Sequence, residues 1–190
     1  MTSNDIITLD QVGENYAYQK KLHLQKGSYM ILGFCQPSFW SKGPGGWAQK
    51  DRIQRPDATL AREAILCAKT IFNIQGGEDD DFITKPTGQK LEIVPMISPG
   101  KVKVGNKFPV KVLYDGEPVK TINVEATFAG FSDKNYKAFQ GRTDLKGRID
   151  IIPLKSGYWV VKVKHVIEHS NKKRADEFVL VSTLTFKING

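Results

Sequence analysis

The C-terminal half of the chain alternates apolar and polar residues with a period of two. Successive side chains of a β-strand point to opposite faces, so this alternation is typical of strands that bury one face. Each alternating run predicts one strand. The runs are Leu91/Ile93, Phe108/Val110/Val112, Ile122/Val124/Ala126/Phe128, Trp159/Val161/Val163 and Leu180/Ser182/Leu184/Phe186/Ile188.

Turn-forming residues separate these strands, at residues 98–100, 115–118, 143–147 and 156–157. A series of short strands divided by such turns, over about 100 residues, is typical of an immunoglobulin-like or transthyretin-like sandwich, which has six or seven strands. We expect its core to consist of large apolar side chains from the strands. They are Phe108, Val110, Val112, Val124, Phe128, Trp159, Val161, Leu184 and Phe186.

A glycine-rich and acidic run, residues 76–81, indicates a domain boundary, because linkers are polar and rich in such residues. We interpret residues 79–89 as a linker between an N-terminal β domain, residues 1–78, and the sandwich, residues 90–190. The predicted fold class is therefore mainly β, with two β-sandwich-like domains. Calcium binding is the alternative interpretation of the acidic run, although it lacks the alternating ligands of an EF-hand loop.

The N-terminal part has weaker patterns. Residues 16–24 and 29–34 predict two strands, whereas the prolines and glycines of residues 36–47 predict a loop. Residues 58–74 fit both periodicities and predict a short helical turn that leads into a strand. So few strands bury little apolar surface, and we therefore expect the chain to be a piece of a longer protein that lacks earlier strands.

The formal net charge of the chain is +8. Lysines at alternate positions, such as Lys162 and Lys164, would all point to the solvated face of a strand, so we interpret the charge as a soluble β surface. No nucleic-acid-binding motif is present, and we expect no nucleic-acid partner. The apolar runs fall short of the roughly 18 residues of a membrane span, and a signal peptide is not evident, so we expect no membrane insertion of this chain.

Residues 165–169 match the H-x-x-E-H pattern of zinc proteases. That chemistry needs both imidazoles one turn apart on a helix, but here the motif continues a predicted strand, where His165 and His169 are roughly 13 Å apart. We interpret the match as coincidence and His165 as a histidine at the edge of the core. His23 stands alone between leucines and is interpreted as structural.

Other catalytic signatures are missing from the sequence, which has no phosphate-binding glycine loop and no nucleophile elbow. We therefore expect the protein not to be an enzyme. Cys35 and Cys67 are expected to be separate buried thiols, with a disulfide between them as the alternative.

Trp40 and Trp47 are the candidate binding residues. Large aromatic side chains in a glycine-rich segment form recognition surfaces, but they can equally close the open end of a sandwich. Both interpretations remain open from the sequence.

Two groups of residues carry a family resemblance. The first is Lys85-Pro86-Thr87-Gly88-Gln89-Lys90-Leu91-Glu92-Ile93-Val94-Pro95, with residues 112–119, 142–147 and 183–186; the second is Phe39-Trp40-Ser41-Lys42, Gly46-Trp47 and Ala68-Lys69. In order and spacing they resemble the family of periplasmic components of cobalt and nickel uptake systems. Members of that family begin the mature chain with a histidine-containing strand, which this sequence lacks, so no metal ligand is assigned here.

The resemblance implies a periplasmic accessory or binding subunit of a nickel or cobalt uptake system. Membrane transporter subunits would be its partners, and the full-length protein would bind a nickel or cobalt ion. The alternative is an extracytoplasmic interaction module that binds a protein or polysaccharide partner and no metal. The sequence establishes no other cofactor.

Overall fold

The structure is a computed structural model, and it describes residues 6–14, 17–75, 81–132 and 134–189. It is mainly β, as predicted, with short 3₁₀ helices at Asp81–Thr84 and Pro99–Lys101. The strands are β1 Asp10–Val12, β2 Ala17–Gln19, β3 Gly27–Gly43, β4 Gly46–Ala48, β5 Leu60–Ile74, β6 Leu91–Pro95, β7 Phe108–Tyr114, β8 Glu117–Pro118, β9 Asn123–Phe128, β10 Phe139–Arg142, β11 Arg148–Ile151, β12 Gly157–Glu168 and β13 Glu177–Ile188.

Most strands belong to a large sheet with the order β10-β9-β12-β13-β5-β3-β4. A small sheet, β11-β7-β6 with β8 beside β7, packs on one face of it. The pair β1 and β2 forms a separate ribbon. Neighbours in the large sheet are antiparallel except for β13 and β5, which run parallel over Glu177–Thr185. The result is a sandwich-like arrangement of two packed sheets.

The strands predicted in the C-terminal half are confirmed as β6, β7, β9, β12 and β13. The predicted core residues lie between the two sheets and are buried, apart from the half-buried Phe128. Phe108 of the small sheet and Phe186 of the large sheet meet there, with 4.6 Å between their ring centroids. Alternation of polarity thus identified the buried faces of β7, β9, β12 and β13 correctly, because one face of each is more exposed than the other. Strand β6 is buried along its whole length.

The helical turn predicted within residues 58–74 is wrong, and β5 is a strand from Leu60 to Ile74. Its buried residues alternate with exposed or half-buried ones from Ile65 through Cys67 and Lys69 to Ile71. Strands on both sides pair with β5, β3 antiparallel and β13 parallel. This tertiary pairing overrides the helix propensity of its alanines.

The loop predicted for residues 36–47 is also wrong, because this segment is a β-hairpin. Strand β3 continues through Pro37 to Gly43, and β4 returns from Gly46. The register with β5 shifts between Cys35 and Ser38, so the proline lies at a bulge, where a missing N–H is tolerated. The strand predicted at residues 29–34 lies inside β3. The strand predicted at residues 16–24 is represented only by the short β2, and residue 16 lies outside the described residues.

The two sheets are joined by a buried ion pair between Lys69 of β5 and Glu92 of β6. Glu92 also accepts hydrogen bonds from the backbone and hydroxyl of Thr87 and from the Gly88 N–H. The side chain of Gln89 donates to carbonyls of β3 and β5. Residues 87–89, which precede β6, therefore connect β3 and β5 of the large sheet to the small sheet through hydrogen bonds.

The large sheet contains strands from both sides of the predicted linker, since β3, β4 and β5 precede it and β13 follows it. Residues 76–80, which include most of the acidic run, lie outside the described residues. The division at residues 79–89 remains a prediction. In the described ranges no helix has the length and apolar character needed to cross a membrane.

Candidate functional site

The candidate binding residues Trp40 and Trp47 lie side by side in the β-hairpin, Trp40 in β3 and Trp47 in β4. Trp40 lies opposite Arg62 of β5, and Trp47 lies opposite Lys42. Residues paired in this way share one face of a sheet. Both indoles are on the face turned away from the small sheet, where they are 40% and 47% exposed.

The two indoles line an open groove with a volume of about 300 Å³. The remaining lining residues are Arg62 and Ala64 of β5 and Val179 of β13. Ala64 and Val179 lie directly opposite each other in the parallel pair, which explains why residues distant in sequence meet here. The groove thus combines aromatic, aliphatic and cationic side chains, and we call it the tryptophan groove.

Arg62 is held in place on two sides. Its Nε donates to Glu177 Oε2 at 2.6 Å, and its guanidinium carbon is 5.3 Å from the centroid of the Trp47 ring. The indole N–H of Trp40 donates to Ser38 Oγ at 3.0 Å. Because these polar groups have internal partners, the ring faces and the outer guanidinium nitrogens are what the groove offers to a ligand.

Arg55 supports the hairpin from behind. Its guanidinium donates to the backbone carbonyls of Ser41, Pro44 and Gly46, and the side chain is only 13% exposed. A Cβ at Gly43 would lie 3.0 Å from the guanidinium nitrogens, so glycine there leaves room for this contact. The position of Trp47 therefore depends on Arg55, a residue that no sequence motif singles out.

A cluster of polar side chains occupies the other face of the same strands. The Nε2 of His169 donates to Glu63 Oε2 at 2.7 Å, and Nδ1 accepts the N–H of Asn171 at 2.9 Å. The Arg174 guanidinium stacks 4.0 Å from the centroid of Phe39. Within the described chain the hydrogen bonds of His169 reach no hydroxyl or thiol, so the cluster has the form of a structural anchor for the β12–β13 hairpin.

The H-x-x-E-H motif lies on β12 and just beyond it, which confirms its predicted place on a strand. His165 packs edge-on against Tyr114 of the small sheet, with 5.4 Å between ring centroids. Burial lowers the pKa of His165. His169 is buried and joined to Glu63, as described above. The two histidines thus contact different parts of the fold.

Cys35 and Cys67 are free thiols on adjacent strands. Cys35 lies opposite Leu66, and Cys67 lies opposite Phe34, so the two thiols project from opposite faces of the sheet. Cys67 is buried as predicted, but Cys35 is exposed, and the expectation that both are buried is wrong for Cys35. His23 is exposed in a segment without regular structure.

Residues 6–14, 17–75, 81–132 and 134–189 contain no group of three or more His, Cys, Asp or Glu side chains that could hold a metal ion. The acidic run considered as a calcium site lies outside these ranges except for Asp81. A nickel or cobalt centre usually gathers several nitrogen or sulfur ligands.

A family model matches residues 2–167, and its description is "Domain of unknown function (DUF4198)". No curated protein and no solved structure matches the chain. The matched segment includes the tryptophan groove residues of β3, β4 and β5 and the motif around Glu92. This chain belongs to the DUF4198 family, a family whose description states no function.

Proposed function

We propose that this protein is a non-catalytic, extracytoplasmic interaction module that binds a protein partner through the tryptophan groove. The observation that carries the proposal is the placement of Trp40, Trp47 and Arg62 around one open groove. Tryptophan and arginine are the residue types most enriched among the dominant contacts of protein interfaces. A sheet sandwich supplies a rigid support for such a surface.

The internal contacts of the groove favour tight binding. Arg62 is already oriented by Glu177, and Trp40 by Ser38, so less side-chain entropy is lost when a partner docks. A partner that places an apolar side chain between the indoles and a carboxylate or carbonyl near Arg62 would satisfy both parts of the groove. A polysaccharide could stack on the indoles as well, but the cation and its acidic neighbour favour a protein.

The second candidate function is an accessory or binding subunit of periplasmic nickel or cobalt uptake. It rests on the resemblance of residues 85–95 and of the Trp40, Trp47 and Lys69 segments to that family. Under this proposal the groove contacts a membrane transporter subunit, and the metal ion is cargo of the assembly. The described residues give no separate support for a metal ligand set.

Site-specific photo-crosslinking tests the groove directly. A photoreactive amino acid replaces Trp47 in cells that also produce the membrane subunits of a nickel or cobalt transporter. The matched control carries it at Tyr136, which is 68% exposed and lies in a loop away from the groove. We expect an adduct with one defined protein from position 47 and none from position 136.

The identity of the adduct separates the two candidates. A transporter subunit supports the uptake role, and a different extracytoplasmic protein supports the general module. Trp40→Ala should weaken either adduct. Equal labelling from both positions, or none, would contradict a protein-binding groove. Polysaccharides should then be titrated and binding followed by tryptophan fluorescence, which reports on the groove because Trp40 and Trp47 are exposed whereas Trp159 is buried.

A further inference from the structure

Strand β3 has one long stretch of edge that no other strand of the described residues covers. It pairs with β5 along its length, whereas β4 covers its other side only at Ser41–Gly43. In the part of the chain that the structure describes, the edge from Tyr29 to Cys35 has no strand on the side away from β5. Such an edge presents a row of backbone N–H and C=O groups that can pair with another strand.

From Tyr29 to Cys35 this edge has no charged side chain and no proline, and the bulge at Pro37 comes only after it. Residues 29–41 contain no lysine, arginine, aspartate, glutamate or histidine. The other outer strands of the two packed sheets are shorter: β4 has three residues, β10 has four and ends in Arg142, β11 has four and carries Arg148 and Asp150, and β6 has five. Natural sheets use short edges and charged residues to prevent association, and β3 has neither from Tyr29 to Cys35.

Apolar side chains are half exposed on both faces of this edge. Ile31 is 43% exposed, Leu32 50% and Phe34 55%. Ile31 projects from one face, and Leu32 and Phe34 project from the other. A strand added at the edge would therefore cover apolar surface on both sides of the sheet at once.

We propose that this edge pairs antiparallel with the same edge of a second copy, so that the large sheets of two molecules become continuous. A two-fold arrangement satisfies both free edges in one closed contact. The formal charge of +8 opposes the approach of two copies, but the edge itself is uncharged. Lys26 and Lys42 lie just before β3 and near its end, and antiparallel pairing keeps equivalent lysines of the two copies apart.

The size of the contact sets its expected strength. A single added strand is small compared with the roughly 800 Å² per partner of a standard interface. We therefore expect a reversible dimer with a dissociation constant in the micromolar range rather than an obligate one. This surface is separate from the tryptophan groove, so the dimer does not depend on the proposed function.

Sedimentation velocity over a wide concentration range tests the proposal with the whole chain. The wild type should shift from monomer to dimer, and Leu32→Lys should remain monomeric because it places a charge on the edge. The matched control is Leu145→Lys, whose side chain is 72% exposed in the turn between β10 and β11. It should dimerise like the wild type, and circular dichroism checks that all three proteins are folded.

Cys35 supplies a second measurement that misfolding could not imitate. It is exposed at the edge whereas Cys67 is buried, so a spin label attaches to Cys35 under native conditions. A two-fold axis near Leu32 places the two labels about 20 Å apart, within reach of dipolar spectroscopy. A protein that stays monomeric at the highest concentration would overturn the proposal and leave the edge to a strand of another chain. A dimer that survives Leu32→Lys and shows no dipolar coupling at Cys35 would also overturn it, because the dimer would then use another surface.

Discussion

Lys69 of β5 and Glu92 of β6 form an ion pair between the two sheets, with 2.5 Å between Nζ and Oε1. Both side chains are 1% exposed. Desolvation lowers the pKa of Lys69, and the hydrogen bond and charge of Glu92 oppose this change. The pair also connects the two groups of residues that carry the family resemblance, because Lys69 belongs to one and Glu92 to the other.

Lys69→Met should destabilise the protein strongly. It leaves the carboxylate of Glu92 buried without its counter-ion, and breaking such a pair costs about 3–5 kcal/mol. The double variant Lys69→Met with Glu92→Gln should recover part of the loss, because the buried charge is gone while the amide oxygen of glutamine still accepts from Thr87. The recovery should be incomplete, because the NH2 group of glutamine cannot accept from the Gly88 N–H. Urea denaturation measures the free energy of unfolding.

The control for this experiment is Lys90→Met. Lys90 pairs with Asp115 at the surface, where both partners are more than a third exposed. An exposed pair of this kind contributes at most about 1 kcal/mol. If the Lys69 and Lys90 variants lose the same free energy of unfolding, the buried pair stabilises the fold no more than the exposed pair does.

Arg55→Ala should loosen the β-hairpin that carries Trp47. Three backbone carbonyls lose a charged donor, and hydrogen bonds of this type contribute about 1.5–3 kcal/mol each at most. We expect faster amide hydrogen exchange at residues 41–48 and little change in β12 and β13. Lys50→Ala, an exposed neighbour, is the control and should leave exchange in the hairpin as it is.

The predictability of the fold differed between the two halves for a physical reason. In β12 Trp159, Val161 and Val163 face the core and the alternate residue Lys162 faces water, so periodicity alone identified the strand. In β5 the buried Lys69 falls at a core position, and the alanines are good helix formers. In β3, Pro37 predicted a loop because a bulge cannot be recognised from a single sequence.

The tryptophan groove was only partly predictable. Trp40 and Trp47 stand out as large aromatic residues in a glycine-rich segment. Arg62 and Ala64 join them because β5 pairs antiparallel with β3. Val179 joins them because β13 pairs in parallel with β5, a contact between strands about a hundred residues apart along the chain. Neither residue type nor spacing reports such a pairing, and the same is true of the contact between His169 and Glu63.

Stability should fall on acidification in a way that depends on His165. Burial holds the pKa of His165 below its ordinary value of 6.5 in the folded protein. Below pH 6.5 the unfolded chain therefore binds more protons at this position, and stability decreases as the pH falls through this range. His165→Gln should show a shallower decrease between about pH 7 and 5 in urea midpoints. If the urea midpoints of the wild type and of His165→Gln decrease in parallel as the pH falls, His165 does not contribute to the pH dependence of stability.

Limited proteolysis should cut the chain first between Gly76 and Thr84, in the predicted linker. Because β5 pairs with β13 over Glu177–Thr185, the two products should stay together in gel filtration after the cut. Dissociation of the products would show that each part is independent. If cleavage starts inside β3, β5 or β13 instead, the linker prediction is wrong.

Nickel and cobalt should bind weakly or not at all to this 190-residue chain. A tight site for these ions usually needs several imidazole or thiolate donors held together. The three histidines occupy different sites in the fold. His169 forms a hydrogen bond with Glu63, His165 packs on Tyr114, and His23 is exposed in an irregular segment. The cysteines project from opposite faces of the sheet.

Calorimetric titration of nickel and cobalt chloride measures this directly, with calcium chloride as a test of the acidic run at residues 76–81. We expect heats no larger than those of dilution for nickel and cobalt. His165→Gln and His169→Gln should not change them, since neither histidine has a second donor of the required kind among its described contacts. Micromolar affinity that disappears in either variant would establish a metal site, and the uptake role would then gain support over the general interaction module.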